Sequence, residues 1–291
     1  MFRPHKPTHR FFIFTLLLIA AFSIPFYNLI QFALHTSLFS HILIVPLISG
    51  YIAWQRRGQS ATIQPGPVWS AIFPALIGVA LLAAAWAIGG EANVLSLQML
   101  SFCCLLLSGG IFFLGFGKIK VFAFPALFLF FIAPIPAGII DRIETVLQYA
   151  SAEVSYRFIK WSGIPVFRSG IFDFEMPGIA FRVAQECSGI RSTLVLFLTS
   201  LVAGNMLLRA TWSRWALVLL VFPLGVVRNA FRILTLAILC VHIDPAYIHS
   251  PIHTRGGPIF FILSLVVFGA ILLLLRRMEG MRRKRNAVRQ V

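Results

Sequence analysis

The chain has 291 residues, of which 59% are hydrophobic and 12% charged, with a mean hydropathy of +0.89 and a formal net charge of +16. A soluble domain carries about twice that charged fraction, so a soluble fold is excluded and an all-α integral membrane protein is expected. The basic excess sits in short loops and in a tail beside a membrane span, which argues against nucleic acid and for the lipid bilayer as its partner.

About eight apolar stretches approach the roughly 20 residues that cross a bilayer core. They are Phe11–Ile30, Leu38–Trp54, Val68–Ile88, Val94–Leu114, Val121–Ile140, Gly189–Leu208, Trp215–Val241 and Pro258–Leu275. The first follows Arg3, Lys6 and Arg10 but has no small-residue cleavage site after it, so it is expected to stay as an anchor. Arg56, Arg57, Lys118, Lys120, Arg209, Arg214 and the run RRMEGMRRKRNAVRQ join those first cations on one side when eight spans alternate. That side is the cytoplasm by the positive-inside rule, which places both termini inside. Of the nine acidic residues only Glu279 falls there. The expected organisation is a single polytopic domain, with spans one to five in 1–140 and an outer interfacial segment in 141–187. Spans six to eight occupy 188–275, and a basic cytoplasmic tail occupies 276–291.

The outer segment has two parts. DRIETVLQYASAEVSYRFIKW places Ile143, Val146, Leu147, Ala150, Val154 and Phe158 at helical spacing, the pattern of an amphipathic helix at the membrane interface. FRSGIFDFEMPGIAFRVAQE alternates. Phe172, Phe174 and Met176 point one way and Asp173 and Glu175 the other, with Pro177-Gly178 at the turn, so a small outer-face β-hairpin is expected before span six.

Three polar anomalies lie in the last three spans. The doorway AQECSGIRS puts Cys187 at the start of span six, where a helix N-terminus favours a thiolate and Arg191, four residues on, shares a helical face with it. Span seven buries Arg228 and Arg232 with Asn229 between them. One mid-membrane arginine costs at least about 2.5 kcal/mol, so such residues are functional or paired. The last outer loop, VHIDPAYIHSPIHTRGG, carries His242, His249 and His253. Neither H-E-x-x-H nor Cys-x-x-Cys is present, so no metal and no cofactor are expected. A cysteine nucleophile, a histidine proton carrier and a guanidinium for an oxyanion are the equipment of acyl transfer through a thioester. Two other readings stay open on the residues alone. One is a transporter that binds an anionic solute on its buried arginines; the other is an envelope polysaccharide assembly protein with a Cys187–Cys240 disulfide.

Cys187-Ser188-Gly189-Ile190-Arg191 resembles the C-S/A-G-hydrophobic-R motif of the exosortase/archaeosortase family. Asn229-Ala230-Phe231-Arg232 resembles its N-x-x-R motif, and His253 with Gly257 its late H-x-x-x-G. The three occur in family order, and the similarity is strongest from about Ile164 to Phe261. The resemblance implies a membrane cysteine protease or transpeptidase with Cys187, Arg232 and His253 as catalytic residues. Arg228 and His249 stand in reserve, and Arg191, Ser188, Gly189 and Asn229 in support. It also implies an inner-membrane location with the site facing the periplasm. The implied partners are membrane-anchored precursors with PEP-CTERM-like C-terminal sorting signals, and an acceptor lipid or polysaccharide.

Overall fold

The computed structural model describes residues 6–59, 68–87, 90–249 and 257–288; the side chains of Glu186, Cys187 and His249 and all of His253 lie outside that description. Among the described residues six helices are long and apolar enough to cross a membrane, or up to eight if each of two bent pairs counts as one span. Large apolar side chains such as Trp69, Phe73 and Trp86, or Ile259 and Val266, stay exposed along these helices, as a lipid-facing surface requires. The chain divides into two compact units, Met1–Ile140 and Asp141–Val291.

The first unit holds α1 (Lys6–Ala21), α2 (Ser23–His35), a 3-10 helix (Ser37–Leu43), α3 (Val45–Arg56), α4 (Val68–Ala87) and α5 (Glu91–Leu114). After them come the short α6 (Phe116–Val121) and α7 (Ala123–Phe128), the latter running on as a 3-10 helix (Leu129–Ile132). The most buried candidate span is α5. It meets α4 through hydroxyls and small residues: Ser101 Oγ donates to Gly78 O at 2.7 Å and Ser108 Oγ to Ala71 O at 2.7 Å.

Two expected spans are bent and not continuous helices. The first is not one helix, because α1 and α2 meet at 65°. Pro25 has no N–H for the carbonyl of Ala21 and its ring displaces that carbonyl, so α1 ends there and Phe22 leaves helical geometry at φ −97°, ψ 17°. The fifth, expected over Val121–Ile140, breaks between Ile132 and Ala137 with a 94° bend. Ala133 is extended (φ −72°, ψ 126°), as a residue before proline must be, and Pro136 blocks recovery of the ladder for one further turn.

The chain then enters α8 (Ala137–Trp161), the expected interfacial helix, which begins at the end of the first unit. Its apolar residues are divided between two faces. Ile139, Ile143 and Val146 are exposed, whereas Ile140, Leu147, Ala152 and Ile159 are buried together with Gln148, Ser151 and Ser155.

Two strands were expected and three form, in the antiparallel order β1 (Phe167–Arg168), β2 (Asp173–Met176), β3 (Ile179–Arg182). The register pairs Phe174 with Phe181 and Met176 with Ile179, so Phe174 and Met176 are buried while Glu175 is exposed, as their alternation requires. Gly178 at φ 81° follows Pro177 in the turn, the positive φ that the third residue of a type II turn demands. Ile159, Phe174, Val183, Ile233 and Ala237 form one core that joins α8, the sheet and α10 (Thr211–His242). A second core, with Leu196, Leu217, Val221 and Phe268, joins α9 (Ile190–Leu207), α10 and α11 (Gly257–Val288). Beyond its apolar stretch α11 continues as helix, and Glu279 accepts from the N–H groups of Arg209 (3.1 Å) and Ala210 (2.9 Å), fastening the α9–α10 turn.

Candidate active site

The approach to Cys187 is fixed by backbone. After β3, the N–H of Val183 closes the sheet on Phe172 O at 2.9 Å, and Gln148 Nε2 of α8 donates to Val183 O at 2.6 Å. Ala184 is extended, and Gln185 Nε2 reaches Glu144 Oε2 at 2.7 Å. Residues Gln185–Ser188 then make one 3-10 turn, so the backbone of Cys187 sits between two tethers to α8 and the start of α9.

Gly189 joins the turn to α9 in the left-handed region, at φ 74° and ψ 14°. Its carbonyl accepts from Thr193 N (3.1 Å), Thr193 Oγ1 (3.0 Å) and Arg228 Nη2 (3.2 Å). A Cβ at Gly189 would lie 2.8 Å from Arg228 Nη2 and 3.3 Å from Asn229 Cγ. One turn earlier on α10, Gly225 leaves room for Thr193 in the same way. Gly189 of the Cys-Ser-Gly-Ile-Arg segment thus packs on the Arg228 and Asn229 side chains of α10, at a contact where an added Cβ makes the guanidinium shift. Arg228 and Asn229 are only 7% and 2% exposed. Arg228 Nη1 is buried without a hydrogen-bond partner among the described residues, so this guanidinium keeps a donor in reserve beside the doorway.

Arg232, one turn further along α10 and half-buried, lines a cavity of about 50 Å³ enclosed by β3 and α10. Phe181, Val183, Leu236 and Cys240 supply its apolar walls, and Asn229 and Arg232 its polar edge. Asn229 therefore borders both the glycine contact and the cavity. The two arginines have different settings: Arg228 bonds the doorway backbone, and Arg232 faces a space.

Ser188 is buried and its Oγ accepts weakly from Ile190 N at 3.4 Å. The expectation that Arg191 shares a helical face with Cys187 is corrected. Cys187 belongs to a 3-10 turn, the left-handed Gly189 interrupts the helix between them, and Arg191 is exposed on the first turn of α9. His249 ends a 3-10 helix (Pro245–His249), its side chain outside the described residues, as are the side chain of Cys187 and the whole of His253. Sequence reasoning missed Gln148, Thr193 and Gly225. The spacings Gly189–Thr193 and Gly225–Asn229, each four residues, were the available sign that two helix faces meet there.

A family model described as Transmembrane exosortase (Exosortase_EpsH) matches residues 33–270. No curated protein and no solved structure matches the chain. The matched stretch takes in α3 to α10, the sheet, the doorway and both arginines, and the chain belongs to the transmembrane exosortase family.

Proposed function

We propose that this protein is a cysteine peptidase or transpeptidase that cleaves PEP-CTERM-like C-terminal sorting signals of exported proteins. In this reading both termini are cytoplasmic, the protein lies in the inner membrane, and the site faces the periplasm. The observation that carries the reading is the bond from Arg228 Nη2 to Gly189 O, which seats the cysteine motif on the helix of the N-x-x-R motif.

The chemistry follows from the residues so arranged. The Cys187 thiolate attacks the scissile carbonyl carbon, and the carbonyl π electrons move to oxygen. Arg232, facing the cavity, holds that oxyanion. The oxyanion collapses, the C–N bond breaks, and His253 gives its proton to the leaving amine, which leaves an acyl thioester on Cys187. Water, or an amine or hydroxyl of an acceptor lipid or polysaccharide, then attacks the thioester and restores the thiol. Arg228 acts as a positioning residue: its contact is with the doorway backbone, and replacing it displaces the cysteine turn.

The sheet supports a mode of substrate capture. The Val183–Phe172 bond fixes which β3 groups face β2, so the backbone N–H and C=O of Ala180 and Arg182 point to the outer edge. An extended recognition segment adding to that edge runs beside the chain that leads to Cys187. The test is co-expression with a precursor bearing a sorting tail. Wild type shortens the precursor, and Cys187→Ala leaves it full length while accumulating normally in the membrane; equal shortening by both overturns the proposal.

A further inference from the structure

The N-terminal unit has an open cavity of about 410 Å³, walled by Phe11, Ala53, Leu106, Gly110 and Leu129 among others and also bordered by Arg57 and Lys118. We propose that it binds an anionic glycerophospholipid, with an acyl chain in the apolar space and the headgroup phosphate between Arg57 and Lys118.

The walls are unsuited to water. Two of their polar side chains are already committed to protein carbonyls: Ser49 Oγ donates to Pro125 O at 2.6 Å and Cys103 Sγ to Leu129 O at 3.6 Å. A buried water needs two to four polar partners, and an apolar space many times the roughly 30 Å³ that one water occupies is filled by hydrocarbon or left empty. The charge at its border is one-sided. Arg57 is exposed, with its guanidinium 4.4 Å from the centre of the Trp54 ring, and Lys118 is half-buried.

Within the N-terminal unit no described carboxylate lies beside them. Before Asp141 the sequence contains a single acid, Glu91, at the first turn of α5. Gly110, on the cavity wall, lies 19 residues along the same helix, about 28 Å away at 1.5 Å per residue. Arg10 joins the basic end, because α1 packs its first turns there: a Cβ at Gly110 would meet Ile119 and Phe11, and one at Gly109 would meet Phe14. Cations on helix ends beside an apolar cleft form a basic pocket of the kind that holds anionic lipid headgroups.

The test uses the full chain, purified and stripped of lipid. Native mass spectrometry counts retained phosphatidylglycerol or phosphatidylcholine, and a melting assay repeats the additions with inorganic phosphate as a third arm. Wild type retains phosphatidylglycerol preferentially, and each cation contributes about 5-fold, so Arg57→Gln with Lys118→Gln lowers retention about 25-fold. Ala53→Trp narrows the cavity and lowers retention of both lipids. Arg57→Lys, which keeps the charge, retains the lipid. Equal retention of the two lipids by wild type would overturn the proposal, as would undiminished phosphatidylglycerol binding in Ala53→Trp, loss of lipid in Arg57→Lys, or an equal stabilisation by inorganic phosphate.

Discussion

Replacing Gly189 by alanine adds one methyl group at the point where the doorway touches α10, and two costs are separable there. The first is conformational: a residue with a Cβ at φ 74° pays about 1–2 kcal/mol for the left-handed region. The second is contact. The new Cβ lies 2.8 Å from Arg228 Nη2, so the guanidinium must withdraw and its bond to Gly189 O at 3.2 Å is lost. A hydrogen bond from a charged donor is worth about 1.5–3 kcal/mol, giving a total of about 2.5–5 kcal/mol. Gly163 is the matched control, since it too is left-handed, at φ 81°, but a Cβ there meets nothing within 4 Å. Gly163→Ala therefore loses only the first cost, about 1–2 kcal/mol. The assay is equilibrium unfolding of both variants in micelles, alongside cleavage of a co-expressed precursor. Gly189→Ala should be about 2 kcal/mol less stable than Gly163→Ala and should cut processing at least tenfold, since 1.4 kcal/mol is a factor of ten. Equal stability and equal processing in the two variants would refute the close contact as the feature that seats the cysteine turn.

Gln148→Leu removes the donor to Val183 O and leaves that buried carbonyl unsatisfied, at a cost of about 1–3 kcal/mol in the same unfolding assay. The two arginines should separate: Arg228→Lys lowers stability together with processing, whereas Arg232→Lys leaves stability near wild type and lowers the rate of precursor cleavage. Arg168, hydrogen-bonded at 2.8 Å, holds the Glu153 carboxyl below the usual carboxylate range, and Arg157 assists. Since the folded pKa is depressed, this pair stabilises above the unfolded value of about 4.3 and the gain disappears as pH falls through the lower folded value. Wild type should exceed Glu153→Gln by under about 1 kcal/mol at neutral pH, with the gap closing in acid melting curves.

The hydrophobic runs announced most of the helices, because nothing but a bilayer solvent explains apolar stretches of that length. Their continuity was harder to see. Pro25, Pro134 and Pro136 stand in plain view in apolar surroundings, yet a proline tolerated in one helix, as Pro74 is inside α4 and Pro223 inside α10, breaks another. The difference lies in tertiary packing, which hydropathy does not record. Periodicity found the apolar positions of α8 but not which of them pack inward: Ile143 and Val146 are exposed and Leu147 is buried. The hairpin was legible from strict alternation around Pro177-Gly178, whereas the two-residue strand Phe167–Arg168 is too short to alternate. At the site, cost alone singled out Arg228 and Arg232, because two arginines in an apolar helix need a reason. Their division between a backbone contact and a cavity depends on where α9 meets α10, and Gly189, Thr193 and Gly225 set that jointly. The same left-handed glycine undid the pairing of Cys187 with Arg191, which counted residues along a helix that does not run unbroken between them.

The central claim is that Cys187 carries the acyl group of a cleaved sorting signal. It is tested most directly by trapping. Cells co-expressing the chain and a tagged precursor are quenched in acid, and the membrane fraction is resolved without reductant, then treated with hydroxylamine. The account predicts a hydroxylamine-labile adduct of chain and precursor that is stronger when acceptor is scarce and absent in Cys187→Ala, where the precursor stays full length. A precursor shortened equally by Cys187→Ala would contradict it.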